Sequence, residues 1–468
     1  MSSGANRRGD YAPTQIGTDR QLFVNDFWTD TARGVSRELH RPVKREVAIH
    51  SDRPWEGGGV YYSVVIRDGD KYRMWYRCDP HGKDEKGSDY DALTAYAESD
   101  DGIHWIKPDL GLVEFQGSKH NNLIWSRPGI NFAAFKDGNP EAPDDERYKA
   151  VVLQGVQTTM DHDGLMALKS ADGIRWSLIR EEPIIADPPF DTHNNPFWDA
   201  WRNEYVVYTR GIAGSGGSFA GGYRWIRRAT SPDFRNWTPL VPITAGDTPY
   251  EHLYTNSCVR YERAPGTYLM FPSRFVPDRT PDPEWGLNGV SDIVFMSSRD
   301  GLDFDRTFME AFVRPGLDKE NWHERGIYME VGILQTSPEE MSLYGMEHKQ
   351  EPDCHIVRYG LRTDGFVSVN AVYAGGEFTT RPLTFAGREL ELNYSTSAVG
   401  SVRVEVQDAQ GHPMPGFTMD DCPAQFGDEI EGTVTWAGAP SLEQLSGNPV
   451  RLRFAIKDAD LYAFKFRA

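Results

Sequence analysis

The segment Glu98-Ser-Asp-Asp-Gly-Ile-His-Trp105 decides the fold of this chain, because related segments recur along it. Each contains Ser-x-Asp, mostly followed by Gly, and ends on an aromatic residue after an apolar alternating run. The repeats are Lys169 to Trp176, Thr230 to Trp237, Ser297 to Phe304 and, faintly, Asp364-Gly365. Asp and Gly suit the tight turn of a hairpin, and the aromatic residue can anchor that hairpin on its neighbour.

The spacing of these segments predicts the architecture. Their Asp residues lie 61 to 71 residues apart, and each interval carries three or four strand-like runs. A repeat of that length is typical of propeller blades, so five markers predict five blades. The isolated run Gln21 to Trp28 is expected to complete the last blade and close the circle, which would bring Asp26 close to residues near 360.

A different pattern follows residue 375. Val402 to Val406 and Val450 to Phe454 alternate apolar and polar residues, as half-buried antiparallel strands do. The sequence therefore predicts an all-β protein: a five-bladed β-propeller followed by a C-terminal β-sandwich. The expected boundaries are a disordered N-terminus at 1–18, the propeller at 19–372 and the sandwich at 373–468.

Composition excludes several classes of partner. The 468 residues carry a formal net charge of -19 and contain no Lys/Arg-rich block, which argues against nucleic acid or an anionic membrane surface. An acidic pocket for a neutral or cationic ligand fits this balance better. The alternative is that the excess Asp and Glu only solvate the surface.

The cysteines and the N-terminal sequence indicate the cellular compartment in which the protein is expected. Cys78, Cys258, Cys354 and Cys422 lie far apart without CxxC spacing, so neither a disulfide framework nor a zinc site is expected. Met1 to Thr14 lacks the apolar core of a signal peptide, and no long apolar run occurs. We expect a soluble, cytoplasmic protein; a secreted protein whose leader has been removed would look the same.

Carboxylates stand where the predicted blades begin. The first strand of each blade lines the central channel, so polar residues at its start can converge there. Glu56 precedes blade one, Asp191 precedes blade three and Glu251 precedes blade four. Carboxylates from several blades can supply the acid and base that glycosidic cleavage needs. We take Asp191 and Glu251 as site residues and either Asp26 or Glu56 as the base.

Other residues at the same places are candidates for substrate binding, since His and Asn can bind sugar hydroxyls and aromatic rings can stack on a sugar face. They are Trp55, His193, Asn194, His252, Asn256, Arg325 and Glu330. Each also has a structural interpretation, as a turn former, a loop tie or a solvated charge. No cofactor is expected, although channel histidines leave a divalent metal open.

The chain resembles the five-bladed β-propeller glycosidases of glycoside hydrolase families 32, 43 and 68, and more closely the family-32 N-terminal-like proteins. Glu56-Gly-Gly-Gly-Val-Tyr-Tyr62 resembles the start of that clan's first blade, with Glu in place of Asp. Asn25-Asp26 resembles its first motif, and Asp191 and Glu251 take the approximate places of its stabilising Asp and its acid. The resemblance covers roughly residues 20 to 370.

The resemblance implies a hydrolase acting on a furanoside, of the fructoside or arabinoside type, with a carbohydrate as its partner. Two other functions stay open at this point. One is a propeller that binds carbohydrate without catalysis. The other is a sugar lyase or epimerase that uses His193 or His252, with or without a metal. The sugar, the linkage, the stereochemical outcome and the oligomeric state are not determined by the sequence.

Overall fold

The computed structural model describes residues 11–81, 91–126, 129–154, 164–214, 221–281, 283–285, 288–438 and 441–468. The protein is all-β, as predicted, and its described helices are short 3-10 turns: Asp26–Trp28, Asp144–Glu146, Pro283–Trp285, Lys319–Asn321 and Leu442–Leu445. None of them has the length or hydropathy to cross a membrane. The chain divides into two compact units, of which the first comprises Met1–Arg41, Glu262–Thr267 and Arg362–Ala468, and the second Pro42–Tyr261 and Tyr268–Leu361.

The second unit is a series of antiparallel sheets made from strands that follow each other in sequence. We number them sheets 1 to 5. Sheet 1 contains Val60–Asp68, Lys71–Cys78, Leu93–Ser99 and Leu123–Trp125; sheet 2 contains Ile130–Lys136, Tyr148–Leu153, Leu165–Ser170 and Ser177–Leu178; sheet 3 contains Asn195–Asp199, Glu204–Ala213, Tyr223–Ser231 and Val241–Pro242. Such four-stranded units are what the repeat length predicted.

Sheet 4 is split into two parts by interruptions in its strands. One part contains His252–Leu253, Ser273–Val276 and Val290–Ile293; the other contains Val259–Arg260, Tyr268–Met270, Met296–Ser298 and Phe304–Asp305. Pro272 lies in one interruption, where its missing N–H removes a ladder bond. Its carbonyl still accepts a hydrogen bond from Val294 N at 3.0 Å, so the two parts remain connected.

Sheet 5 contains Ile327–Met329, Leu334–Gln335, Glu340–Glu347, His355–Arg362 and, from the N-terminal side, Val43–His50. The last sheet is thus completed by an N-terminal strand, but not by the predicted one. Lys44, Arg45 and Glu46 give Val43–His50 the charged character that suits an outer edge. The prediction for Gln21 to Trp28 is wrong, because Phe23 and Trp28 are fully buried in the core of the first unit.

Hydrogen bonds connect each sheet to the next and the fifth to the first. The bonds run between Arg77 Nη1 and Asn131 Oδ1, Asn131 Nδ2 and Thr192 O (3.1 Å), Asn256 Nδ2 and His193 O (3.2 Å), Ser257 Oγ and Met329 O (2.6 Å), and Val65 N and Val331 O (2.8 Å). Most of the groups involved are buried, where an unpaired polar group is costly. The sheets therefore close into a ring.

The repeated Ser-x-Asp segments form the same turn after the third strand of sheets 1 to 4. In the first, Ser99 Oγ accepts the N–H of Gly102 at 2.9 Å, and Asp101 Oδ1 accepts the N–H of Ile103 and His104 at 2.8 Å. Equivalent Asp bonds recur around residues 172, 233 and 300. The turn needs a positive φ, which Gly102 adopts at 73°.

These turns also join neighbouring sheets. The carbonyl of Gly102 accepts a hydrogen bond from Tyr344 OH of sheet 5, and that of Gly173 accepts one from Trp75 Nε1 of sheet 1 at 2.8 Å. Trp105 meets Tyr344 edge to face at 5.8 Å. The fifth marker is different: Asp364 belongs to the first unit, where it pairs with Arg20 and Arg263.

The first unit is built around two long antiparallel strands, Glu389–Asp408 and Val450–Arg467. Further strands join them: Thr14–Gly17, Gln21–Leu22, Thr29–Arg33, Ser36–Leu39, Val367–Ala371, Gly376–Thr380, Leu383–Phe385 and Asp428–Thr433. The predicted boundaries change accordingly, because residues 11–41 belong with residues 362–468. The strand Thr14–Gly17 lies within the segment predicted to be disordered, whose first ten residues are outside the described part.

All four cysteines are buried and none forms a disulfide. Burial raises the pKa of the Cys78 thiol well above its usual value, which keeps the side chain neutral. The prediction that no disulfide framework supports this fold is confirmed.

Candidate functional site

Aromatic rings from several sheets stack on one another inside the ring. Tyr62 of sheet 1 stacks on His193 at 5.2 Å and on Tyr328 of sheet 5 at 5.7 Å, and Tyr328 stacks on Tyr254 at 5.6 Å. Tyr62 OH donates to Tyr254 OH at 3.2 Å, and Tyr61 contacts Tyr62 edge to face. We call these five side chains the tyrosine stack. Its members come from sheets 1 and 5, from an interruption of sheet 4 and from the segment preceding sheet 3.

Local backbone irregularity places these residues. The ladder between the first two strands of sheet 1 shifts register between Tyr61 and Val64, and Tyr62 has a φ of 50°. A similar shift follows Ile130 in sheet 2, where Asn131 has a φ of 55°, and Ser257 has a φ of 43° in the interruption of sheet 4. A bulge re-aims side chains, and strained backbone concentrates at functional sites.

Five basic side chains surround the tyrosine stack. Arg77 lies 5.0 Å from the ring centre of Tyr61, and Arg210 lies 4.7 Å from that of Tyr254. Lys349 lies 4.8 Å from Tyr61, and Arg224 lies 5.9 Å from Tyr254, again to the ring centres. The fifth, Arg325, is close enough to lower the pKa of Tyr328, which burial raises well above normal. Cations over aromatic faces gain about 0.5 to 2 kcal/mol each.

Three carboxylates lie among these cations. Asp79 accepts hydrogen bonds from Tyr61 OH at 2.5 Å and from Arg77 Nε at 2.8 Å. The side chain of Asp191 is 58% exposed and pairs with Arg210 at 3.3 Å. Glu324 pairs with Arg325 at 2.7 Å. With the tyrosine stack and the five cations, these three residues form what we call the central site.

Both Asp191 and Glu324 act on the stack. Burial raises the pKa of Tyr62 well above its usual value, and the Asp191 carboxylate adds to that rise. Glu324 contributes in the same way to the raised pKa of Tyr328, after the larger effect of burial. Each of these carboxylates is therefore close enough to the tyrosine stack to affect one of its rings.

The charge of the central site differs from the prediction. Five cations and three carboxylates make its described part basic, whereas the net charge of -19 favoured an acidic pocket. Net charge sums the whole surface, so it does not report the sign of one interior site.

Of the four predicted catalytic residues, only Asp191 lies in the central site. Glu56 is fully buried and tied to its own loop: its carboxylate accepts the N–H groups of Asp52 and Arg53, both at 3.0 Å, the Tyr76 hydroxyl at 2.8 Å and the Lys107 ammonium at 2.7 Å. Because every acceptor site of its carboxylate is occupied, Glu56 has a structural role. Asp26 belongs to the first unit, where it begins the 3-10 turn Asp26–Trp28, and its assignment as base stays a prediction.

The fourth candidate, Glu251, lines a separate cavity of 520 Å³ together with His252 and Phe275. Its carboxylate is held by Arg274 at 2.9 Å and by Arg306 at 3.1 Å. We call this space the lateral cavity. Arg224 connects it to the central site, because its guanidinium lies 5.2 Å from the ring of Phe275 and its backbone N–H donates to His252 Nδ1.

The predicted binding residues divide in the same way. His193 and Arg325 belong to the central site, and His252 to the lateral cavity. The other four are engaged in the scaffold: Trp55 donates to Asn122, Asn194 donates to Phe190 O, Asn256 bonds His193 O and Cys258 N, and Glu330 accepts the N–H of Ser63. Burial raises the pKa of Glu330 to about 8, which keeps it protonated between sheets 1 and 5 at neutral pH.

In the part of the chain described, one group has the spacing of metal ligands: Asp318, Glu347 and His348. Its donor atoms are already used. His348 pairs through both ring nitrogens, with Asp318 at 2.7 Å and Asp353 at 2.9 Å, and Glu347 pairs with Lys44. Two carboxylates raise the pKa of His348 despite its burial, as expected for an imidazolium. These residues do not fit a metal ion.

Comparisons with known proteins identify no family. No protein-family model matches the chain. Two uncharacterised proteins of Mycobacterium tuberculosis, from strains CDC 1551 / Oshkosh and ATCC 25618 / H37Rv, are each 31% identical over 118 residues. The matched segment covers 24% of this chain and 38% of each relative, so most of each relative's length has no counterpart in the match.

Solved structures similar to this chain include glycoside hydrolases of the clan that the sequence resembles. A family 43 arabinoxylan arabinofuranohydrolase from Bacillus subtilis has a TM-score of 0.42 at 12% identity, covering 91% of this chain and 99% of that one. A family 32 β-fructofuranosidase of Bombyx mori scores 0.43 at 11%, covering 95% of both. An N-acetylgalactosamine deacetylase from F. plautii scores 0.46 at 14%, covering 70% and 96%. Scores this low carry no inference about activity.

Sequence reasoning missed several central residues, including Tyr61, Asp79, Arg210, Glu324 and Lys349. It considered the starts of first strands, whereas Asp79 directly follows the second strand of sheet 1. The signal for Asp79 was local. Two of the three glycines after Glu56 pack closely against Asp79: a Cβ on Gly57 would lie 2.0 Å from Asp79 O, and one on Gly59 would lie 3.3 Å from Asp79 Oδ2. A run of three glycines indicates such a close approach.

Proposed function

We propose that the protein is a glycoside hydrolase whose active site is the central site, and that its ring of sheets is a five-bladed β-propeller joined to a β-sandwich. One observation carries the proposal: Asp79, Asp191 and Glu324 approach the same tyrosine stack from different parts of the ring. Glycosidic cleavage needs two carboxyl groups flanking the scissile bond, and aromatic faces bind the apolar faces of sugars.

The contacts of the three carboxylates suggest their roles. Both oxygens of Asp79 accept hydrogen bonds, which suits a nucleophile or base. Glu324 has one oxygen paired with Arg325, and its other oxygen has no hydrogen-bond partner among the described residues, so that oxygen is open to the leaving group of a substrate. Asp191 is left to bind sugar hydroxyls or stabilise positive charge on the ring. A furanoside substrate follows from the sequence resemblance and is part of the proposal.

Saccharide screening with matched variants tests this function. The wild-type chain is incubated with nitrophenyl furanosides and with plant and microbial polysaccharides, and released sugar is measured. On a substrate so found, Asp79→Asn and Glu324→Gln are expected to lower kcat by about 10²- to 10⁴-fold, the usual contribution of acid–base groups. Asp100→Asn removes a carboxylate that is 81% exposed in the same sheet and serves as the control. Full turnover by both central variants contradicts the proposal.

An eliminative sugar lyase is the second candidate, favoured by the excess of cations around Tyr62. Elimination from a uronic acid requires that its carboxylate be neutralised and that a base remove the adjacent proton. His193 stacks on Tyr62, and burial lowers its pKa to about 4, which keeps the imidazole neutral. The two reactions give different products: elimination yields an unsaturated sugar with ultraviolet absorbance, and hydrolysis does not.

A further inference from the structure

Two of the five cations in the central site have no carboxylate partner among the described residues. Arg77, Arg210 and Arg325 each pair with one of the three carboxylates. Lys349 is held only over the rings of Tyr61 and Tyr328, at 4.8 and 5.4 Å. The guanidinium of Arg224 is held only over the rings of Tyr254 and Phe275, at 5.9 and 5.2 Å. Each therefore has aromatic contacts and no carboxylate within ion-pair distance among the described residues.

Both cations belong to one site. Lys349 contacts Tyr328, Arg224 contacts Tyr254, and these two rings stack on each other at 5.6 Å. Arg325 and Glu324 act electrostatically on both Lys349 and Arg224. The two unpaired charges thus lie against adjacent members of the tyrosine stack.

Their burial makes the missing counter-charge significant. Lys349 is only 5% exposed, and burial with nearby cations lowers its pKa to about 7. Arg224 is partly buried, and burial with the neighbouring Arg210 lowers its pKa as well. A cation–π contact is worth less than the desolvation of a buried charge, so a scaffold alone gains nothing from this arrangement. An anionic ligand would supply the charge that the protein lacks.

We propose that the substrate of the central site is an acidic saccharide, whose anionic group, a carboxylate or a sulfate ester, binds between Lys349 and Arg224 while its ring packs on the tyrosine stack. This inference deepens the proposed function and rests on it. A neutral sugar would leave both cations uncompensated. A site that uses charge to bind one substrate discriminates strongly against the analogue lacking the charge.

Calorimetric titration of the full chain with three glycosides tests the inference. The probes are the furanoside forms of methyl glucuronide, methyl glucoside and methyl glucoside 6-sulfate, which share a ring and differ in charge and in the type of anion. We expect at least one anionic probe to bind tenfold or more tightly than the neutral one. The anionic probe that binds more tightly shows whether the site prefers a carboxylate or a sulfate ester.

Three variants locate the binding group. Lys349→Met and Arg224→Met are each expected to weaken anion binding tenfold or more and to weaken the binding of methyl glucoside by a much smaller factor. Lys71→Met removes a lysine that is 49% exposed on sheet 1 and is expected to change neither. Because Lys349→Met removes a buried unpaired charge, it should also unfold at a higher temperature than the wild type when no ligand is present, so loss of folding does not explain its result.

Several outcomes overturn the inference: neutral glycoside bound as tightly as both anions, no binding of either anion, or anion affinity unchanged in both central variants. Cleavage restricted to neutral saccharides removes the inference and leaves the hydrolase. Tight binding of an acidic glycoside through Lys349 and Arg224, without any cleavage of acidic oligosaccharides, keeps the anion site and removes the hydrolase.

Discussion

The outer turns and the centre of the ring are built from the same sheets by opposite principles. Each Ser-x-Asp turn repeats one set of hydrogen bonds, so Asp101, Asp172, Asp233 and Asp300 accept the same two backbone N–H groups in four sheets. At the centre the sheets contribute different side chains, such as Tyr62 from sheet 1 and Arg210 from sheet 3, and sheet 2 contributes none of the residues named in the central site. Repetition marks the residues that hold the sheets together, and departure from repetition marks the residues available for chemistry.

The largest effect is expected from a substitution at the centre of the ring. Asp191→Ala at the centre is expected to lower kcat/KM by about 100-fold on a confirmed substrate, because it removes a carboxylate that faces the tyrosine stack. Its free energy of unfolding should change little, since the side chain is 58% exposed. Steady-state kinetics and urea unfolding measure both quantities. An unchanged kcat/KM would place Asp191 outside the chemistry.

A second prediction concerns Glu56, whose substitution is expected to lower stability without lowering kcat. Glu56→Gln replaces a buried carboxylate that holds the Lys107 ammonium by an uncharged amide. We expect a loss of about 3 kcal/mol in the free energy of unfolding, because Lys107 is left with a buried charge only partly compensated. The kcat of the folded variant should stay close to the wild-type value. Glu389→Gln, which breaks an exposed pair with Arg467, is the control, with a loss below about 1 kcal/mol.

The third prediction is a pH dependence at Glu330. Its pKa rises from 4.5 to about 8 on folding, because burial disfavours the charged form. The stability that this raised pKa contributes is fully present below pH 4.5 and is lost as pH rises towards 8. Glu330→Gln removes the ionisation and keeps the acceptor for Ser63 N–H. We expect it to exceed the wild type by about 2 kcal/mol at pH 6 and to match it near pH 4 in urea unfolding. Equal pH profiles for both proteins would exclude an ionisable Glu330.

The smallest effect is expected at an outer turn. Asp172→Ala removes the acceptor of two backbone N–H groups and should cost about 1 kcal/mol of unfolding free energy without changing kcat/KM. Burial alone would raise the pKa of Asp172, but the N–H groups of Arg175 and Ile174 lower it below 3.8. The contribution is therefore present above pH 3.8 and disappears as the pH falls below it, so wild type and variant should converge in acid. A cost that persists in strong acid would point to lost packing instead.

The fold was largely predictable because its determinants are local and repeated. Turn residues and alternating apolar and polar residues indicate each sheet in the sequence, and an N-terminal strand completes the last one. The sequence did not show which N-terminal strand completes the last sheet, because both Gln21–Leu22 and Val43–His50 are β-strands. The burial of Phe23 in the first unit is what distinguishes the first of them from the second. The prediction that Asp364 marks a fifth blade was not met for a related reason, because a weak local match does not show which unit contains the residue.

The site was predicted only in part. The sequence identified Asp191, His193 and Arg325, because they stand where strands of the ring begin. Glu56 and Glu251, whose positions along the chain resemble that of Asp191, are not part of the central site as we define it. Their neighbours in space, Lys107 for one and Arg274 and Arg306 for the other, already pair with them. Whether a carboxylate is available depends on these partners, and they come from distant parts of the sequence.

The amino-acid sequence by itself determined the repeated turns, the all-β class and the absence of disulfides, since each depends on residues a few positions apart or on composition. Tertiary structure alone decided the charge and membership of the central site. Lys349 and Arg224 are separated by more than a hundred residues, and they share one aromatic surface only because the sheets close into a ring. Burial then determines what each charge can do, because removal from water makes an unpaired cation costly and therefore selective for an anion.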